Sequence, residues 1–285
     1  MLLACTGCTE FEGVESDFEF DDEIEFRGGG GTPGRRPGGG GGPWLGNGLQ
    51  SFALSGVSTQ HGLSTSEGLS EDTGLLADPA YWDTVEYLVE CALPFTESIT
   101  KNVVGTDGPQ TKILSGLVGL APEWKDGACD QDCQEWVTSC LLARTNLTGH
   151  TVWLGLRAEH PAVGTHSDPD YPLHEASWYG NLFAPTPQMY FCRGSSTALS
   201  VAYQQGRTCS TGHHEDCGFT SLGSCYGGNL CAGGGGGADG NDPVTHCSSG
   251  DKEYKTLSTY IDIPQGWTGW DDDDDDDDDD GDDDD

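Results

Sequence analysis

Positive charge is scarce in this sequence: 12 Lys and Arg stand against 48 Asp and Glu, for a formal net charge of −36. Fourteen of the acids form the terminal Asp271–Asp285 run, so the rest of the chain still carries −22. Such a field repels nucleic acid and anionic lipid and favours cations or a cationic or cell-surface partner. A nucleic-acid binder is excluded on that ground. Long apolar runs are also missing; a membrane-spanning helix needs about 20 such residues. The familiar catalytic strings GxSxG, HExxH and the P-loop are absent, and His174-Glu175 lacks the second histidine of a zincin. CxxCH haem attachment is absent too, and the lone CxxC is Cys5-Thr-Gly-Cys8.

What is abundant is cysteine, with 12 in the chain, and glycine, with 44. Ten cysteines fall in the hydrophobic part: Cys91, Cys129, Cys133, Cys140, Cys192, Cys209, Cys217, Cys225, Cys231 and Cys247. An even number without zinc-ribbon spacing predicts a disulfide framework and an oxidising compartment. The alternative for Cys129, Cys133 and Cys140 is a thiolate metal site, because soft sulfur suits zinc.

Two helices organise the reading. In DPAYWDTVEYLVECALP, Tyr81, Val85, Leu88, Val89 and Ala92 fall on one stripe. Asp78 is its N-cap, Pro79 its first residue and Pro94 its stop. In CDQDCQEWVTSCLLARTNLTGH, Cys129, Cys133, Trp136, Cys140, Ala143 and Leu147 project within roughly 80° at about 100° per residue. Each cysteine of this face is expected to bridge to a different partner, with Cys140 to Cys91 the natural link between the helices.

Along the chain, Leu2-Leu3-Ala4-Cys5 reads as the end of a lipoprotein signal, with Cys5 or Cys8 the lipidated residue and this lipid the only membrane attachment. Glu10 to Phe26 alternates acids and aromatics, and Arg27 to Gly48 is a glycine-rich linker. Leu49 to Leu76 is rich in Ser, Thr and Gly and is expected to be poorly ordered. Ile113 to Leu120, Val152 to Leu156, Trp178 to Phe183 and Gln188 to Cys192 read as strands, and Lys252 to Ile263 as a final edge strand. The resulting boundaries are a signal remnant at 1–8, a disordered acidic leader and linker at 9–77, a disulfide-stapled domain at 78–264 with a Cys-rich lobe at 208–250, and a poly-Asp tail at 265–285. The expected fold is α+β: a two-helix pair on a small antiparallel sheet, a disulfide-rich C-terminal lobe and disordered acidic flanks.

Several strings in order, Tyr87-Leu-Val-Glu-Cys91-Ala-Leu-Pro94, Gly119-Leu-Ala-Pro-Glu-Trp124, Gln134-Glu-Trp-Val-Thr-Ser-Cys140-Leu-Leu-Ala-Arg144, Tyr179-Gly-Asn-Leu-Phe183, Cys192 and Cys217-Gly-Phe219, carry a resemblance. Together they resemble a family of uncharacterised, cysteine-containing exported proteins of Gram-negative bacteria, often with lipoprotein signals. The resemblance covers Tyr81 to Cys231 and implies export and a shared fold, but no catalytic residue.

For chemistry, His160, His166, Asp168, Asp170 and His174, with Glu175, cluster within a short stretch and make a candidate calcium or zinc site. The same residues are the basis of an alternative function, a metal-dependent secreted hydrolase using loop 160–175. DPDYP is equally good turn chemistry. His213-His214-Glu215-Asp216 and Asp239-Gly-Asn-Asp242 are lesser candidates of the same kind. Eight tryptophans, Trp178 beside Tyr179 among them, offer a sugar-stacking platform or core packing, and Asn146-Leu-Thr148 matches a glycosylation sequon. The leading expectation is a non-enzymatic, lipid-tethered envelope or secreted protein with a binding or structural role and no cofactor.

Overall fold

The structure, a computed structural model, describes residues 44–47, 49, 54, 57, 63–105, 108–147, 149, 152–228, 230–232 and 244–263. All lie in one compact unit, Pro33–Asp285. Cys5, Cys8, the acidic leader, the linker up to Pro43, Asp239–Asp242 and the Asp tail fall outside the described residues.

Local chemistry sets the helices. The Asp78 carboxylate accepts from the Ala80 amide, Pro79 opens a 3-10 turn, Pro79–Tyr81, and the chain passes directly into α1, Trp82–Ala92. Val85, Leu88, Val89 and Ala92 are buried along its stripe, whereas Tyr81 is exposed. Helix α2, Gln131–Ala143, starts at Asp130, whose side chain accepts from Cys133 N. From Glu135 to Ala143 every residue of α2 is buried, so it is a core helix rather than an amphipathic one. Helix α3, Ser196–Gln204, is capped by Ser195. The cross-link Cys91–Cys140 joins α1 to α2, reinforced by Arg144 Nη2 at 2.6 Å from Glu90 Oε2.

The strands are β1 (Trp44–Asn47), β2 (Ser98–Gly105), β3 (Gly108–Ser115), β4 (Val152–Arg157), β5 (Leu173–Asn181) and β6 (Gln188–Arg193). They continue with β7 (Thr220–Ser224), β8 (Cys231–Ala232), β9 (His246–Ser249), β10 (Lys252–Lys255) and β11 (Leu257–Ile261). Six form a sheet in the order β1-β4-β11-β5-β6-β7, antiparallel except for β6 with β7. A three-stranded sheet, β10-β9-β8, and the hairpin β2-β3 complete the fold. The α+β class and the disulfide-rich character therefore stand, with a larger and partly parallel sheet. Among the described residues no helix is long and apolar enough to cross a membrane.

Several expectations need correction. Residues before 78 are already part of the fold: β1 pairs with β4 from Trp44↔Gly155 to Asn47↔Val152. Leu49, Leu54, Leu63, Leu69, Leu75 and Leu76 are buried. The segment before α1 is held by backbone bonds, Leu69 N to Trp124 O and Cys129 N to Thr65 O, and by the buried Lys101, whose Nζ donates to Leu69 O (2.5 Å) and Glu71 O (2.6 Å). Scattered leucines and main-chain pairing override the polar composition. Ile113 is an exposed residue of β3, in which only Leu114 is buried, and the rest of the expected strand, with Val118 and Leu120 buried, lies beyond the end of β3 at Ser115. Residues 252–263 form two strands, and β11 lies at the centre of the six-stranded sheet rather than at its edge.

Candidate functional site

Strand β5 brings the sequence candidates into the fold, and a β-bulge decides where they point. On β11, Thr259 pairs with Ala176 and Tyr260 with His174, which leaves Glu175 as the extra residue. The bulge breaks the period of two, so Glu175 joins Ala176 and Trp178 toward the helices while His174 shares the opposite face with Ser177. Gly194 fits against this irregularity: a Cβ there would lie 1.9 Å from His174 O.

On the helix side, the fully buried Glu175 faces Arg207, with Nε to Oε1 at 2.6 Å and Nη2 to Oε2 at 3.2 Å. Ser210 Oγ donates to Oε1 (2.5 Å) and Thr259 Oγ1 to Oε2 (2.8 Å). Trp178 Nε1 donates to the Thr259 hydroxyl (2.9 Å), and the Trp178 ring stacks on Phe191 at 5.3 Å. Every acceptor position of this carboxylate is engaged, which is what a buried charge requires.

On the other side, His174 Nδ1 lies 2.6 Å from the Tyr226 hydroxyl and Nε2 lies 3.0 Å from Ser177 Oγ. Ser177 Oγ meets Ser258 Oγ at 2.7 Å, and Ser258 donates to Val244 O. The His174 and Tyr260 rings are 5.0 Å apart, with the Arg157 guanidinium 3.5 Å from the Tyr260 centroid on that same ring. Burial pushes His174 down to about 4, opposed by the Ala176 backbone and Glu175 and helped by Arg157. The imidazole is therefore neutral at neutral pH. A Ser–His contact of this sort resembles a nucleophile and base, yet His174 is 1% exposed and Ser177 fully buried. The pair is closed off from solvent.

The remaining metal candidates do not converge. His160 accepts from its own turn at Ala162 N (3.1 Å) and sits against Trp136 with ring centroids 4.9 Å apart. His166 is exposed, and Asp168 accepts from Asp170 N (2.9 Å), the turn chemistry of DPDYP. His213 pairs with Asp216 at 3.0 Å on the surface. Thus the proposed set His160, His166, Asp168, Asp170 and His174 is spread over a turn, a surface and a strand interior. Among the described residues, the one group with metal-binding geometry is Cys192, Cys225 and Cys231, in a different part of the fold.

Trp178 is core, not a sugar platform, and Asn146 is fully buried. Asn146 Nδ2 donates to Gly206 O (2.9 Å) and Oδ1 accepts from Thr208 N (3.0 Å), so the folded chain offers no glycosylation acceptor there. A shallow groove of about 430 Å³ beside α3, lined by Arg193, Leu199, Ser200, Tyr203, Gln204 and Thr211, contains no carboxylate or histidine.

The ten cysteines form five pairs: Cys91–Cys140, Cys129–Cys133, Cys192–Cys225, Cys209–Cys217 and Cys231–Cys247. Cys129 and Cys133 pair with each other across the start of α2, because the chain turning into the helix at its cap Asp130 leaves them 5.2 Å apart at Cα, so the expectation of separate partners fails for them. Two of the disulfides lie side by side, with Cys192 Sγ 3.4 Å from Cys231 Sγ and 3.9 Å from Cys247 Sγ. They sit in a small second core with Tyr179, Val244 and Tyr254. The Tyr179 hydroxyl, buried and without a hydrogen-bond partner among the described residues, is pushed up by burial and by Tyr190 and Tyr254. Arg157, Arg207, Ser258 and Tyr226 escaped sequence reasoning. No sequence signal marks them: the burial of the two arginines shows only in the fold, where Arg207 meets Glu175 and Arg157 meets Tyr171 O and the Tyr260 ring.

Five disulfides suit a non-reducing, extracellular or envelope environment. Comparison of the chain with models of known protein families, with curated proteins and with solved structures finds no match.

Proposed function

We propose that the chain is an exported, non-enzymatic protein of the cell envelope or extracellular space, tethered by lipid on Cys5 or Cys8, with a binding or structural role. The observation that carries this reading is the pairing of all ten cysteines from Cys91 to Cys247, which leaves that region without a reactive thiol. The interior groups that resemble catalytic machinery, His174 and Glu175, are both buried and bonded to their neighbours. Their role is to lock β5 to β11 and to the segments around Arg207 and Tyr226. The net charge of −36 favours a cationic surface or protein as the partner. No observation favours the hydrolase alternative on residues 160–175.

The test is the intact mass of the native protein from its own host, before and after reduction under denaturing conditions. A diacylglycerol-sized increment on Cys5 or Cys8, with about 2 Da gained per bridge at five bridges, is the expected result. An unlipidated mass with free thiols among these cysteines overturns the proposal.

A further inference from the structure

Cys192 lies on β6, Cys225 directly follows β7, and Cys231 and Cys247 are cross-strand partners on β8 and β9. Each disulfide therefore closes within one sheet: Cys192–Cys225 within the six-stranded sheet and Cys231–Cys247 within the three-stranded one. No disulfide among the five joins these two sheets, although their sulfurs touch at 3.4 and 3.9 Å. Four thiolates around a tetrahedral zinc, with Zn–S near 2.3 Å, lie about 3.8 Å from one another. The Cys192–Cys231 and Cys192–Cys247 separations already match that spacing. The Sγ atoms of Cys192, Cys225 and Cys231 lie within 4.8 Å of one another. The two bonded pairs have to spread, and Cys247, which lies outside that group of three, has to move toward Cys225.

We infer that Cys192, Cys225, Cys231 and Cys247 form a two-state site: two disulfides when oxidised, and a tetrathiolate zinc site bridging the two sheets when reduced. Entry to the second state starts at Cys231, the half-buried member, since Cys192, Cys225 and Cys247 are buried. A dithiol reductant supplies two electrons and two protons to each disulfide and is itself oxidised to a cyclic disulfide, leaving four thiols. Zinc then displaces the four thiol protons to bind as thiolates. Strands position the ligands, and Tyr179, Val244 and Tyr254 pack around them, the dry surroundings that hold a thiolate metal centre. In a reducing compartment before export the metal joins the sheets; after export, a disulfide oxidant takes two electrons from each pair of thiolates, is itself reduced to a dithiol with protons from solvent, and the zinc leaves as the two bridges form.

The experiment uses the full chain, reduced anaerobically with a water-soluble phosphine, which takes an oxygen from water as each disulfide opens. Cobalt(II) or zinc is then added and the metal bound is counted by native mass spectrometry. One metal per chain is expected, with cobalt bands of tetrahedral sulfur coordination. Cys231→Ser is expected to weaken binding by at least about tenfold, the loss that even outer contacts of a metal centre produce. The double substitution Cys129→Ser with Cys133→Ser is expected to leave it unchanged. Circular dichroism follows the same samples, because a reduced chain that loses structure should regain it on adding zinc. Absence of bound metal in the reduced chain, folded or unfolded, overturns the inference. Binding insensitive to Cys231→Ser, or lost in the Cys129/Cys133 variant, also overturns it. None of these outcomes bears on lipidation or export, which the mass measurement decides separately.

Discussion

Replacing His174 with glutamine keeps a neutral side chain able to reach the Tyr226 hydroxyl and Ser177 Oγ, 2.6 and 3.0 Å from the imidazole nitrogens, while removing the titration. In the unfolded chain this histidine binds a proton below its ordinary value of 6.5; in the folded chain, burial holds it to about 4. Between those values the unfolded state carries the extra proton, so stability falls as pH falls, and the loss is complete below the folded value. The gap corresponds to about 3 kcal/mol, a large fraction of the stability of an ordinary domain. The groups facing the ring, Tyr226, Tyr260, Ser177 and Arg157, include no carboxylate that protonation would relieve. The nearest acid, Glu175, points to the other face and is committed to Arg207. Denaturant unfolding with disulfides intact, run on both proteins from about pH 7 to about pH 4, isolates the effect as the difference between the two curves. That difference should be flat above 6.5 and shrink by about 3 kcal/mol on the way down to 4. Parallel curves would show that His174 is solvated or already charged in the folded state, and the reasoning from burial would fail.

Two further outcomes rest on other parts of the fold. Removing Cys91–Cys140, which closes a loop of 49 residues, should cost about 4 kcal/mol by chain entropy, against about 2 kcal/mol for Cys129–Cys133 with its separation of 4. Calorimetry on the paired alanine variants checks the ranking, and equal losses would refute it. Lys101→Met removes the donor to Leu69 O and Glu71 O. Each orphaned carbonyl costs roughly 1–3 kcal/mol, so amide exchange at Leu69 and Ser70, bonded to Trp124 O and Lys125 O, should accelerate at least about tenfold. Unchanged exchange there would show that Lys101 does not hold the segment.

The sequence carried the parts of this fold that depend on side-chain period and capping. Asp78, Pro79 and Pro94 bracketed α1, and Val152 to Leu156 and Gln188 to Cys192 stood out as strands. It hid the parts that depend on main-chain pairing and on polar groups satisfied inside. β1 contains Gly46 and is attached through its backbone register to β4. The first half of β5, Leu-His-Glu-Ala-Ser, reads as a loop because its burial is stabilised by Arg207, Thr259 and Tyr226, which lie far along the chain. Residues 160–175 looked like one ligand cluster because they are near in sequence. The turn at Asp168 and the bulge at Glu175 send them in different directions. The adjacency of Cys192 and Cys231 arises from two sheets meeting, and no spacing rule anticipates it.

The central place of β11 has a consequence for how the chain reaches its native state. Its partners Arg157 and Trp178 are synthesised long before Leu257 to Ile261 arrive, so β4 and β5 wait side by side with a strand-wide gap between them. Until that gap closes, both strands expose unpaired amides and carbonyls to any extended segment nearby, including the same strand of another copy. Pairing across such sequence distances is slow to form. The sheet therefore stays open until residue 261 is available, and then closes on β11.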